Sequence, residues 1–194
     1  MSGPSWLPSS SGSSDSIADE ITLRDEPRAS DAVAIRRIVA STGFFHDFEV
    51  DVAVELVEER LAKGLASEYY FLFADRGTTK HEAGESIGYA CFGPIACTVG
   101  SFDLYWVAVR ADRQGHGLGA RLMQEAERRM AAGLIGPGGT PLAPGRRVYV
   151  ETSSRDLYAP TRAFYARCGY AEEARLRDFY AVGDDKVVYV KAIG

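Results

Sequence analysis

The run from Ser101 to Met130, SFDLYWVAVRADRQGHGLGARLMQEAERRM, constrains the fold of this chain more than any other stretch. Leu104 to Val109 is a continuous β-branched and aromatic segment, which predicts a strand buried on both faces. Leu118, Leu122, Met123, Ala126 and Met130 then fall on one helical stripe, with Arg121, Glu125, Arg128 and Arg129 opposite. Between strand and helix lies Arg113-Gln114-Gly115-His116-Gly117-Leu118-Gly119, where alternate glycines strip the loop of Cβ atoms. The first N–H groups of a helix have no intrahelical acceptor and carry partial positive charge, so a bare loop feeding such an end suits a phosphate or diphosphate. A lone G-x-G-x-G also serves as an ordinary flexible turn, and context has to decide.

Two familiar phosphate loops fail on the letters. A P-loop ends in Gly-Lys-Ser/Thr, whereas Ala120 and Arg121 follow Gly119 here. A dinucleotide fingerprint reads G-x-G-x-x-G and opens its fold, whereas this loop reads G-x-G-x-G past the middle of the chain.

The rest of the chain supplies a sheet and helices around this unit. Ile21 to Arg24 alternates as a first strand, Ser30 is placed to cap a helix with the stripe Ala34, Ile35, Ile38 and Val39, and Gly43 ends it. An aromatic cluster, Phe44 to Phe48, precedes a second helix whose apolar positions are Val50, Val54, Val57 and Leu61. Tyr69 to Ala74 and Ser86 to Phe92 read as an antiparallel hairpin. Beyond Met130 a Gly/Pro-rich run, 131 to 147, predicts a flexible surface loop, followed by a strand from Arg147 to Thr152. Pro160 fits the first turn of a short helix closed by Gly169, and strands near 174–180 and 186–192 flank a turn at 181–185. The order β-α-α-β-β-β-α-β-α-β-β predicts an α/β (mixed α+β) fold: a mostly antiparallel sheet of about seven strands flanked by about four helices.

Composition bounds the function. At 194 residues, 46% hydrophobic and 25% charged, the chain suits an ordinary globular domain, expected over residues 20–194, behind a Ser/Gly/Pro-rich tail at 1–19 that reads as disordered. A net charge of -5 argues against a nucleic-acid surface. Cys91, Cys97 and Cys168 are odd in number without C-x-x-C spacing, which points to reduced thiols in a cytoplasm, and His46, His81 and His116 are scattered, so no metal is expected. No apolar run has the ~18 residues of a membrane span.

The loop that remains, Gln114-x-x-Gly117-x-Gly119 with Ala120 next, resembles the pyrophosphate loop of the GNAT superfamily of N-acetyltransferases. A second stretch, Phe164-Tyr165-Ala166-Arg167-Cys168-Gly169-Tyr170, looks like that family's F-Y-x-x-x-G-[FY] element, and the two occur in the family's order. The resemblance spans roughly Ile21 to Lys191 and implies the GNAT fold and acetyl-CoA as acyl donor. It further implies that the N–H groups of Gln114, Gly115, His116, Gly117, Leu118, Gly119 and Ala120 cradle the diphosphate, with Arg113 or Arg121 adding charge. The main chain of Val107, Ala108 and Val109 would bind the pantetheine arm as a strand. One departure stands out: where many members carry Asn in N-x-x-A-x-x-x-Y this chain has Tyr158, and Thr161 takes the small-residue position. That contact is either absent or taken over by Ser153, Ser154 or Arg155.

Acetyl transfer needs a neutral amine, a partner for the oxyanion and a proton for the thiolate. By resemblance Tyr165 is the general acid, its phenol having an ordinary pKa of about 10. Glu151, at the end of its strand, reads as a general base acting through water, as the group that holds a cationic acceptor, or as a plain solvated strand-end carboxylate. A main-chain N–H near Val107 would meet the oxyanion. Phe44, Phe45, His46, Tyr180 and Asp184 occupy segments that border the acceptor in this family, Phe45 and Tyr180 foremost. The reading is direct transfer in a ternary complex to a small-molecule amine. A protein N-terminal or lysine acetyltransferase and a non-catalytic acyl-CoA-binding domain are the alternatives, and a homodimer is compatible with each.

Overall fold

A computed structural model describes residues 21–77 and 84–194. The expected tail at 1–19 and His81 lie outside the described residues. Seven strands form one sheet in the order β1-β2-β3-β4-β5-β7-β6. They are β1 (Ile21–Arg24), β2 (Tyr70–Arg76), β3 (Glu85–Pro94), β4 (Ser101–Val109), β5 (Arg147–Ser153), β6 (Ala171–Ala181) and β7 (Asp184–Ala192). Every neighbouring pair is antiparallel except β4 and β5, which run parallel. That exception follows from connectivity: β5 is reached only after the glycine-loop helix crosses back over the sheet.

The helices α1 (Asp31–Ser41), α2 (Asp47–Lys63), α3 (Leu118–Ala132) and α4 (Ala159–Arg167) cover the two faces unequally. On one face Ile35, Ile38, Val39, Val50, Val54 and Val57 of α1 and α2 pack on Phe71, Phe73, Tyr89 and Cys91. On the other, the predicted stripe Leu118, Leu122, Met123, Ala126 and Met130 is buried with Leu72, Ile87, Phe92, Val148 and Val150, and Tyr165 of α4 joins it. Between α3 and the C-terminal strands, Glu127 accepts a hydrogen bond from the Tyr170 hydroxyl at 2.9 Å and pairs with Lys191 Nζ at 2.6 Å. Breaking either contact would strand a buried carboxylate, which makes the trio a clamp on this face.

Several sequence expectations change in physical detail. Ser30 occupies the N-cap of α1 but its hydroxyl caps nothing. Asp31, one residue on, accepts from the Arg28 N–H and pairs with Arg24, which also bonds Asp75. In α2 the buried stripe continues to Arg60, while Leu61 is 42% exposed. The Gly/Pro-rich connection is folded: Ile135 bridges Pro141, the Leu142 N–H donates to Leu134 O, and Gly145 sits on the Met130 backbone where a Cβ would meet it at 3.0 Å. The strand expected to be buried on both faces, β4, exposes 40% of Tyr105 and leaves Trp106 and Val107 half-buried.

Candidate active site

The opening in β4 has a structural cause. Its register with β5 holds for three pairs only, Ser101↔Arg147, Phe102↔Val148 and Asp103↔Tyr149, and from Leu104 and Val150 onward the strands part. At the same point β4 carries a bulge: Cys91 faces Trp106 and Phe92 faces Leu104, so Tyr105 is the extra residue. A bulge bends its strand and leaves main-chain groups unpaired, so here it turns β4 away from its parallel neighbour. The Arg110 N–H donates to Ile87 O of β3, and counting back by the two-residue alternation of a strand points the main-chain groups of Val109 and Val107 into the gap. Apart from Val109 O, which accepts from the Gln114 side chain, a stretch of open β-edge is thus held inside the sheet, able to take an extended amide chain as a further strand.

At the end of that edge the loop behaves as its composition predicts. Gly115 and Gly117 adopt φ of +82° and +78°, a region that costs other residues, and no atom lies within 4 Å of where a Cβ on either would stand. The Gln114 side chain donates to Val109 O at 2.9 Å and ties the loop to the strand. Gly117 caps α3 with no side-chain bond, and the first α3 turn closes only with the Arg121 N–H on Gly117 O. The N–H groups of residues 115 to 120 donate to no carbonyl among the described residues. A cradle of unsatisfied donors at a helix N-terminus fits a diphosphate. Arg113 Nε lies 3.6 Å from Asp112 without a hydrogen bond, whereas Arg121 donates to Ile21 O beside the loop.

Tyr165 lies buried on α4, the helix that follows β5. Helix α4 leans on the loop, with the Phe164 ring 3.4 Å from the position of a Cβ on Gly119. The Tyr165 ring packs 5.8 to 6.2 Å from those of Phe164, Tyr189 and Tyr170. Its hydroxyl makes no hydrogen bond among the described residues, and burial pushes its pKa well above the usual phenol value, so the group holds its proton. Phe164, one residue before this phenol, carries the contact between α4 and the loop, although the two segments are far apart in sequence.

The other side of the gap is built from side chains. Glu151, on the parted section of β5, pairs with Lys186 Nζ of β7 at 2.6 Å, and that ammonium lies 3.8 Å from the centroid of the Phe179 ring. Asp103, at the last β4–β5 pair, has its carboxyl raised to about 6, first by burial and then by Glu151, with Lys186 opposing. Phe45 packs on Trp106 of β4 at 5.0 Å, whereas His46 turns outward and stacks on Phe48. Tyr180 is half exposed; burial, the carboxylates of Glu151 and Asp184, Tyr158 and Glu49 all push its phenol up. Glu49, Glu151, Tyr158, Tyr180 and Asp184 therefore converge from the start of α2, β5, the entry to α4 and the β6–β7 turn. Beside them an open cavity of about 470 Å³ is lined by Ser154, Arg155, Asp156, Leu157 and Gly183.

The serines named as substitutes for the missing Asn are otherwise engaged. The Ser153 hydroxyl donates to Asp184 and the Ser154 hydroxyl accepts from the Asp185 N–H, so both pin the β6–β7 turn. Arg155 remains at the cavity. Asp103 and Lys186 were not singled out from sequence. The available signal is a carboxylate between Phe102 and Leu104, one residue before the apolar run that predicts the strand.

The sheet thus parts between its two parallel strands beside a loop of unpaired N–H groups, an arrangement that suits an extended ligand ending in a diphosphate. Residues 67–172 match the family model described as an acetyltransferase (GNAT) domain. The crystal structure of a GNAT-family protein from Desulfovibrio desulfuricans is 42% identical, covering 90% of this chain and 100% of that one, with a TM-score of 0.78. This chain belongs to the GNAT family of N-acetyltransferases. Two more distant structures share the fold: an aminoglycoside 6'-N-acetyltransferase complexed with coenzyme A (17% identity, 90% and 97% covered, TM-score 0.63) and the ribosomal-protein-S18-alanine N-acetyltransferase from Escherichia coli (17%, 90% and 95%, TM-score 0.60). No curated protein matches the chain in sequence.

Proposed function

We propose that this protein moves an acetyl group from acetyl-CoA to a primary amine of a small molecule by direct attack in a ternary complex. The parting of β4 from β5 beside the loop carries this reading, because it offers an open β-edge and a diphosphate cradle in line. Acetyl-CoA supplies the thioester. The N–H groups of residues 115–120 hold its diphosphate, and the main chain of Val107 to Val109 orients its amide arm. A main-chain N–H near Val107 meets the oxyanion, and Tyr165 gives the departing sulfur a proton.

Asp103 and Glu151 divide the work on the amine. Glu151 holds positive charge, at present that of Lys186, while Asp103, with its carboxyl near 6, is charged yet still basic at neutral pH and accepts the amine's proton through water. Carboxylates at Glu49, Glu151 and Asp184 around two phenols favour a cationic acceptor. A peptide N-terminus is the second reading, favoured by the half-exposed Phe179 and Tyr180 and the open cavity beside them.

Calorimetry with acetyl-CoA, followed by a thiol-release assay over small amines and short peptides, tests this. Binding with turnover on a small amine is the expected result, and turnover confined to peptides favours the second reading. Binding without turnover on any acceptor marks a non-catalytic acyl-CoA-binding domain and ends the transferase proposal.

A further inference from the structure

The chain has four lysines, at 63, 80, 186 and 191. Lys63 pairs with Glu59 on α2 with its side chain 60% exposed, Lys191 is clamped to Glu127 behind α3, and Lys80 lies outside the described residues. Lys186 differs in place and in company. Opposite Ser153 on β7, it carries its ammonium across to Glu151 Oε2 at 2.6 Å and onto the Phe179 ring at 3.8 Å, with its side chain only 16% exposed. Asp103 lies near enough to feel both charges. An alkylammonium seated on an aromatic ring and against a carboxylate, where β4 and β5 have parted, is what an amine acceptor would present to the site.

We infer that Lys186 is itself an acceptor: when acetyl-CoA is bound and no external amine is present, the protein acetylates its own Lys186 Nζ. This rests on the transferase reading above. The ammonium first gives a proton to Glu151, which passes it to solvent, leaving a neutral amine whose lone pair attacks the thioester carbon. The C–N bond forms as the C–S bond breaks. Asp103 takes the second nitrogen proton through water and releases it to solvent, while Tyr165 protonates the sulfur and regains a proton from solvent. Coenzyme A leaves as the thiol, with one proton released overall. The product amide is neutral, so Glu151 loses its ion pair and becomes free to hold a cationic acceptor.

The test uses the unmodified full chain incubated with acetyl-CoA alone and followed by peptide mass spectrometry, with exposed Lys63 as the internal reference for plain chemical acetylation. Templated transfer acetylates Lys186 at least ~10-fold faster than Lys63, despite its lower exposure, because the reacting groups are held together. Excess coenzyme A suppresses only the Lys186 reaction, and Lys186→Arg, which keeps the pair with Glu151, removes it. Acetylation of Lys186 no faster than Lys63 overturns the inference. If calorimetry then shows acetyl-CoA binding and an external amine releases thiol, the transferase reading survives alone; if acetyl-CoA does not bind, both fall.

Discussion

The two sides of the gap between β4 and β5 are made differently. The loop side is contiguous in sequence and offers main-chain groups: unpaired N–H groups from 115 to 120, two glycines at positive φ, and the strand edge at Val107 and Val109. The side proposed for the acceptor is assembled from side chains on five elements, with Glu49, Asp103, Glu151, Tyr180 and Lys186 each arriving from a different one. Main-chain recognition of an invariant ligand needs only backbone shape, so few residue types are compatible with it. Side-chain recognition of a variable acceptor leaves each position free to change alone. Damage to the first side should therefore read out in donor affinity, and damage to the second in acceptor turnover.

Gly117→Val is the largest expected blow. No neighbour obstructs a Cβ there, so the penalty comes from holding a β-branched residue at φ +78° and from methyl groups entering the phosphate space. Calorimetry should show acetyl-CoA affinity falling ~100-fold or more, equivalent to about 3 kcal/mol. An unchanged affinity would mean that the donors of this loop do not hold the diphosphate. Tyr165→Phe acts at the junction of the two sides. The ring contacts survive and only the hydroxyl goes, so kcat should drop ~10- to 100-fold while acetyl-CoA affinity stays put. Equal turnover in the variant and the parent would exclude the phenol as proton donor.

How much of this was legible follows the same division. The α3 stripe, the glycine loop and the aromatic pair on α4 were readable because each is short-range and its chemistry follows from spacing. The exposure of Tyr105 was not, since Leu104 to Val109 reads as fully buried. Only the bulge at Tyr105 and the loss of β5 after Asp103 open that strand. Arg60 takes the place of Leu61 in the buried stripe of α2, and Glu26, from outside the helix, reaches its guanidinium at 3.4 Å. The pairing of Glu151 with Lys186 and the raised carboxyl of Asp103 depend on which strands topology makes neighbours. No local pattern encodes them.

Asp103→Asn sharpens the comparison through pH. The folded-state carboxyl titrates near 6, above its ordinary 3.8, because burial and Glu151 disfavour its charge more than Lys186 restores it. A base is lost when protonated, so kcat/KM should fall about tenfold per pH unit below 6 and level off above it. An alkyl amine adds a separate limb near pH ~10. The variant should turn over roughly tenfold more slowly at pH 7 and lack the limb near 6, with unchanged acetyl-CoA affinity. A limb that persists in the variant assigns the base elsewhere.

Tyr180→Ala should give the smallest effect and the sharpest test of independence. The side chain is 49% exposed, its ring meets Phe179 edge-on at 5.0 Å, and the main chain around it is held by Asp178 and Asp185 without its help. Losing it removes one wall of the proposed acceptor mouth but no core packing, so the melting temperature should move little. An edge-to-face partner and the apolar area of one half-exposed ring are worth about 1 kcal/mol, which predicts a several-fold rise in the acceptor's KM with kcat nearly kept. The donor's affinity should not move, because no main-chain group of the loop or of β4 is held by this residue. A matching loss of acetyl-CoA affinity would show that the β6–β7 turn and the parted strands respond as one body. The loop and the acceptor mouth would then be a single coupled site.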